Sequence, residues 1–222
     1  SPYAMFCDQD DVWLSDKVER SLEEMQRLEA LHGFSTPLLV HTDLRVVDSD
    51  LEEIGPSFWK VAKLNPQTRG DLRHFLVQNC AVGCTFFFNR ALTERTGEIP
   101  DRGVIMHDWW RALVAAAYGK ISALNEPRIL YRRHPQTVTS TTQKRQKIKN
   151  MIQRREDNFP YIAQARAFYY TFRKSLSAEN LQLVEVTATL LKQSIWRRKW
   201  RIIRYRLERQ TTLRSLVFLV MI

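Results

Sequence analysis

The sequence predicts an α/β domain with a mostly parallel sheet, followed by a basic α-helical C-terminal extension. Short apolar strands alternate with amphipathic helices as far as about residue 132, and from Gln143 onward the pattern is helical throughout. The charge divides at the same place. Residues 1–140 hold 16 Lys and Arg against 19 Asp and Glu, a balance of −3, whereas residues 141–222 hold 18 against 5, a balance of +13. A chain of 222 residues, 44% hydrophobic with only 7 Gly and 8 Pro, is long enough to bury a core. We therefore divide it into a first unit over 1–140 and a helical basic extension over 141–222.

The elements follow in order. Tyr3 to Phe6 reads as a short buried strand ending in the loop Cys7-Asp8-Gln9-Asp10-Asp11. Ser15 is a candidate N-cap for a helix to about His32, with Val18, Leu22, Met25 and Leu28 at helical spacing and Gly33 as the stop. Pro37 to Thr42 reads as a strand, Asp43 as a polar turn, and Val46-Val47 as a second short strand. Thr68 and Asp71 have capping-box spacing before a helix carrying Leu72, Phe75 and Leu76. Gly83 to Asn89 reads as an aromatic strand, with helices from Arg90 to Gly97 and from His107 to Gly119. Strands over Lys120–Leu124 and Arg128–Arg132 close the first unit.

Three carboxylates in four residues, Asp8, Asp10 and Asp11, repel one another unless a cation or donors compensate. They stand at a strand end, the edge where open α/β sheets bind ligands, and their oxygens suit Mg²⁺ or Mn²⁺. A solvated acidic turn before a helix is the other reading. Asp108, between His107 and two tryptophans, suits a general base in poor solvent, or else a helix-start carboxylate that only packs. His134 after Tyr131-Arg132-Arg133 is a metal or phosphate group, or part of a surface basic cluster. Gly83 within a strand signals a close approach of backbone or ligand. Three cysteines, Cys7, Cys80 and Cys84, point to a reducing compartment and not to a disulfide framework, and Cys80 and Cys84 read as buried thiols and not as a zinc pair.

Taken in order, four segments resemble those of family 2 inverting glycosyltransferases, most closely rhamnosyltransferase-like members that build bacterial surface polysaccharides. Phe6-Cys7-Asp8-Gln9-Asp10-Asp11-Val12-Trp13 with Asp16-Lys17 resembles the DxD region. Asn79-x-x-x-Gly83-Cys84-Thr85 with Asn89-Arg90 resembles the strand and helix start that follow it. His107-Asp108-Trp109-Trp110 resembles the catalytic-base motif, and Tyr131-Arg132-x-His134 the closing motif near the diphosphate.

The resemblance implies a partial Rossmann-like GT-A sheet and a sugar passed, with inversion, from a nucleotide-diphosphate donor to a saccharide or lipid-linked saccharide. Rhamnose is the sugar that the likeness suggests. Asp108 would be the base and Asp10 the direct metal ligand. Asp8 would contact the metal or the donor ribose, His134 with Arg132 or Arg133 the diphosphate, and Asp11 would lie close by. Gly83, Cys84, Thr85, Trp109 and Trp110 are acceptor-site candidates. The family's nucleotide-binding half has no counterpart before Ser1, so the sequence reads as a fragment opening in mid-fold.

In the extension, Trp196, Trp200, Ile203 and Leu207 share one helical face, and Arg197, Arg201 and Arg204 crowd the rest. Aromatics gathered on one face, apart from the basic side chains, point to an anionic membrane surface and away from nucleic acid. No apolar run approaches a membrane span. The expected location is cytoplasmic, peripheral on the inner face of the plasma membrane. The rival reading is a non-catalytic binding module, and a phosphohydrolase built on Asp8 to Asp11 is a third.

Overall fold

A computed structural model of the chain describes residues 1–133 and 159–222. The strands are β1 (Tyr3–Met5), β2 (Val12–Trp13), β3 (Leu38–Val47), β4 (Glu53–Gly55), β5 (Phe87–Asn89) and β6 (Lys120–Arg132). The helices of the first stretch are α1 (Lys17–His32), α2 (Phe58–Val61), α3 (Leu72–Phe75), α4 (Arg90–Thr96) and α5 (His107–Tyr118). Those of the second are α6 (Pro160–Phe172), α7 (Ala178–Ala188), α8 (Ile195–Arg204) and α9 (Thr212–Met221). The molecule is a mixed α/β fold with one sheet in the order β1-β5-β3-β6-β2, and β4 pairs with β3.

Alternation along β3 and β5 explains why helices cover both faces. Leu38, Val40 and Phe87 point to one face, where Met25 and Leu28 of α1 cover them. Leu39, Phe86 and Phe88 point to the other, against Trp110 and Leu113 of α5. From beyond the undescribed stretch, α6 joins this second layer through Ala165, Phe168 and Phe172. The basic helices thus share a core with α5. Gln210 adds a polar staple: its side chain accepts from Asn65 N and donates to Arg69 O, both at 2.8 Å.

The sheet is not mostly parallel. Only β3 and β6 run parallel, and the other four pairings are antiparallel. Parallel neighbours need long crossovers, and helices of four residues such as α2 and α3 do not provide one. Asp43 is no turn either. It is buried inside a continuous β3, at a register shift against β6. Its carboxylate accepts from Leu44 N at 2.8 Å, Trp59 N at 3.1 Å and the Ser57 hydroxyl. Those three donors satisfy the buried charge and fasten α2 to the bulge. The two strands expected over 120–132 are one strand, β6, carried through the same irregularity. Helix α3 is capped by Asp71 itself, and α1 by Asp16 without a side-chain bond.

His41, in the middle of β3, is 1% exposed, and neither ring nitrogen has a hydrogen-bond partner among the described residues. It lies between Trp59 and Phe86, with ring centroids at 5.6 and 6.5 Å. Burial pushes its pKa from 6.5 down to about 3, so the folded chain holds it neutral. As pH falls below the ordinary histidine value, the unfolded chain takes up the proton first, and stability drops. Between pH 6.5 and 5 this single group removes about 2 kcal/mol. His41→Phe is expected to flatten that part of the stability–pH curve. Urea unfolding at the two pH values checks it, and identical slopes for the two proteins would refute it.

Candidate active site

The acidic loop joins β1 to β2, and β2 is held to β6 by the pairs Val12–Leu130 and Trp13–Ile129. Arg132, two residues beyond Leu130, fixes the loop's shape. Its backbone N–H donates to Asp11 Oδ1 at 3.1 Å and its Nε to Asp10 O at 3.0 Å, and its guanidinium also reaches Ser49 O. Burial raises the Asp11 pKa, and Asp8 and Asp10 raise it further, against the Arg132 N–H and the Cys84 thiol. Asp11 Oδ2 is buried without a nitrogen or hydroxyl donor.

One oxygen each from Asp8 and Asp11 and the sulfur of Cys84 lie within 4.8 Å of one another. Asp10 is exposed and stands outside this group. Two carboxylates at this separation, one with a buried oxygen that no nitrogen or hydroxyl of the described residues reaches, fit a hard divalent cation such as Mg²⁺ or Mn²⁺. Cys84 does not add to that fit. It is 2% exposed, and burial with the neighbouring carboxylates drives its thiol pKa far up, so it stays protonated.

Asp108 is the second residue of α5 and is 6% exposed. Its Oδ1 accepts from Trp109 N at 2.6 Å and its Oδ2 from Gly83 N at 3.0 Å. Burial raises its pKa, opposed by these N–H groups and by His107. Gly83 begins a 3₁₀ turn, Gly83–Thr85, and not the strand that the sequence suggested, since only Phe87–Asn89 is extended. That glycine is there for close approach. A Cβ on it would stand 2.9 Å from Asp108 Cβ and 3.0 Å from Oδ2.

This turn connects the two acidic groups. Gly83 adjoins Asp108, and the next residue, Cys84, adjoins Asp8 and Asp11. The acidic loop and the helix-start carboxylate, 97 residues apart from Asp11 to Asp108, thereby adjoin consecutive residues of one turn.

Several candidates fall elsewhere. Trp110 is fully buried against Phe168 and Phe172, so it is a core residue and cannot touch an acceptor. Thr85 is fully buried too, and its hydroxyl donates to Val82 O at 2.6 Å to close its own turn. Trp109 is half-buried, and its indole N–H donates to Phe75 O at 2.6 Å. Arg133 is exposed, with its N–H paired to Val47 O. His134 lies outside the described residues.

Two cations escaped the sequence reading as site residues. Lys17 is fully buried with its ammonium 3.4 Å above the Trp13 ring and no hydrogen-bond partner among the described residues. Burial lowers its pKa to about 8, against attraction from Cys84, Cys7 and Asp11. Trp13 ends β2 and Lys17 opens α1, so no single-element periodicity signals the pair. Arg111, one turn after Asp108, places its guanidinium over the Phe88 ring at 4.7 Å and the Phe6 ring at 5.5 Å. Among the described residues its Nε and Nη1 have no hydrogen-bond partner. The i,i+3 step from Asp108 was the available signal.

No protein-family model matches the chain, and no curated protein matches it.

Proposed function

We propose that the chain is the acceptor-side part of an inverting, metal-dependent glycosyltransferase with a GT-A type sheet. The observation that carries this reading is that Asp108 and the Asp8–Asp11 pair adjoin consecutive residues, Gly83 and Cys84, of one turn. The ordered sequence motifs support it, as does the acidic loop directly after β1.

In this reading Asp108 takes the proton of an acceptor hydroxyl while that oxygen attacks the anomeric carbon of a nucleotide-diphosphate sugar. The bond from that carbon to the diphosphate breaks in the same displacement, so the configuration inverts. A buried carboxylate with raised proton affinity suits the task, because its basicity is higher than that of a solvated aspartate. The Gly83 and Trp109 N–H groups hold it in one orientation. Asp8 and Asp11 would hold a Mg²⁺ or Mn²⁺ ion, with Asp10 exposed beside them. The chemistry such an ion supplies is neutralisation of charge gathering on the departing diphosphate. Arg132, whose guanidinium donates to the main-chain oxygens of Asp10 and Ser49, would stand beside the diphosphate.

The test is sugar transfer by the native protein that carries this chain, with a panel of nucleotide-diphosphate sugars, a saccharide acceptor and Mn²⁺ or Mg²⁺. The product's anomeric configuration is read by NMR. Inverted product that depends on metal supports the reading. Asp11→Asn is expected to raise the metal concentration for half-maximal rate about tenfold, by removing one hard ligand charge. Phosphate release without any acceptor would instead favour a phosphohydrolase, and a folded protein that transfers no sugar from any donor would refute the proposal.

A further inference from the structure

The last two helices turn their apolar faces outward. On α8, Trp196, Trp200 and Ile203 are 79%, 60% and 65% exposed, while Arg198 and Ile202 on the far side are buried. Leu207, expected on the same stripe, is not there. The helix ends at Arg204, and the chain turns at Arg206, φ 50°, and sends Leu207 into the core. On α9, Leu213, Leu216, Val217, Val220 and Met221 recur at helical spacing and are all exposed, whereas Phe218 is buried.

The two stripes adjoin. Ile203 and Leu216 line one groove of about 420 Å³ between the helices. Beneath it, Ile202, Leu207, Phe218 and Ile222 pack together. The buried Arg198 guanidinium donates to the main-chain oxygens of Leu191 and Gln193 at 2.8 Å and of Ile222 at 2.9 Å. The platform is therefore fixed from below, and its outer apolar face is surplus to the core.

The charge around the face selects its occupant. Residues 192–222 hold nine Lys and Arg against one Glu, a balance of +8. That glutamate, Glu208, is engaged by Arg69 at 3.4 Å and Arg206 at 3.6 Å. Arg197 and Arg204 are exposed on one flank of the tryptophan stripe, with Lys199 on the other, and none has an acidic partner among the described residues. A face with two tryptophans, aliphatic side chains over a second helix and a cationic border matches a bilayer interface with anionic headgroups. Nucleic acid would need aromatics interleaved with the cations, and a second copy of this chain would bring the same positive border against itself.

We infer that α8 and α9 together form a docking surface for an anionic lipid bilayer, with Trp196, Trp200, Ile203, Leu216 and Val220 entering the interface and Arg197 and Arg204 at the headgroups. This surface does not depend on the glycosyl-transfer reading.

The test is flotation of the whole protein with vesicles of phosphatidylcholine, with and without phosphatidylglycerol, and tryptophan quenching by brominated lipid. The protein is expected to bind the anionic vesicles with its tryptophans quenched. Trp196→Ser with Trp200→Ser, and separately Leu216→Ser with Val220→Ser, should each weaken binding about tenfold or more. Arg197→Gln with Arg204→Gln should remove much of the preference for phosphatidylglycerol. The substituted side chains are exposed, so circular dichroism and Tm should not change. Failure to bind either vesicle would overturn the inference, and so would binding that the α9 pair leaves unchanged, or adsorption without quenching. A dimer that the α8 pair dissolves would assign the face to a second copy, and an oligonucleotide that displaces vesicles would assign it to nucleic acid.

Discussion

On the proposed glycosyl-transfer reading, Asp108→Asn is expected to lower sugar transfer about 10²- to 10⁴-fold, the range for losing a positioned general base. The fold should persist, because two effects oppose each other. An amide oxygen cannot accept from both Trp109 N and Gly83 N as the carboxylate does, and losing one such bond costs about 1 kcal/mol. Neutralising a 6%-exposed carboxylate relieves the burial that raises its pKa, which offsets that cost. The pH profile separates a base from a packing carboxylate. The base works only when ionised, and its folded pKa lies above the ordinary 3.8, so the rate of the parent protein should fall as pH drops through that raised value. The residual activity of the Asn variant should lack this acidic limb. Donor affinity, measured separately by calorimetry, should be nearly unchanged. A variant that keeps its turnover would remove Asp108 from the chemistry, whatever its place in the fold.

Why so much of this site could be read from the chain is clear from its local parts. The strand at Tyr3–Met5, the helix over Lys17–His32 and the helix over His107–Tyr118 follow from apolar spacing within one element. A glycine among aromatics correctly flagged a close approach, and Asp108 turned out to be the group approaching. What could not be read depends on partners far away in sequence. Trp109 and Trp110 are equivalent by composition, and Trp110 goes inward because Phe168 and Phe172 arrive from α6. Within the acidic loop no strand alternation operates, so nothing local says that Asp8 and Asp11 group with Cys84 while Asp10 stays outside that group. Asp43 looked like a turn because a buried aspartate needs donors, and its donors Ser57 and Trp59 lie at the N-cap and in the single turn of a helix only four residues long. Strand direction was illegible for the related reason that short connections do not fix it.

Gly83→Ala should be the most informative single-carbon change in the molecule. Its Cβ would stand 2.9 Å from Asp108 Cβ and 3.0 Å from Oδ2, closer than such atoms pack. Helix α5 cannot back away as a body, since the Trp109 indole is bonded to Phe75 O and Trp110 is locked in the core. The strain therefore falls on the Asp108 side chain and on the turn, which also carries Cys84 against the acidic loop. Overpacking of this kind costs about 1–3 kcal/mol of stability. Displacing a reacting group by an ångström costs on the order of 10²-fold in rate. A double-mutant cycle decides whether the rate loss runs through Asp108. If it does, adding Gly83→Ala to Asp108→Asn should lower turnover little further, because the group being displaced no longer acts as a base. Losses that simply multiply would mean that the turn acts on catalysis by another route, through Cys84 and the carboxylates of Asp8 and Asp11. Full activity in a stable Gly83→Ala protein would show that the contact between the turn and Asp108 has no part in catalysis, and with it would go the observation on which the two-carboxylate site rests.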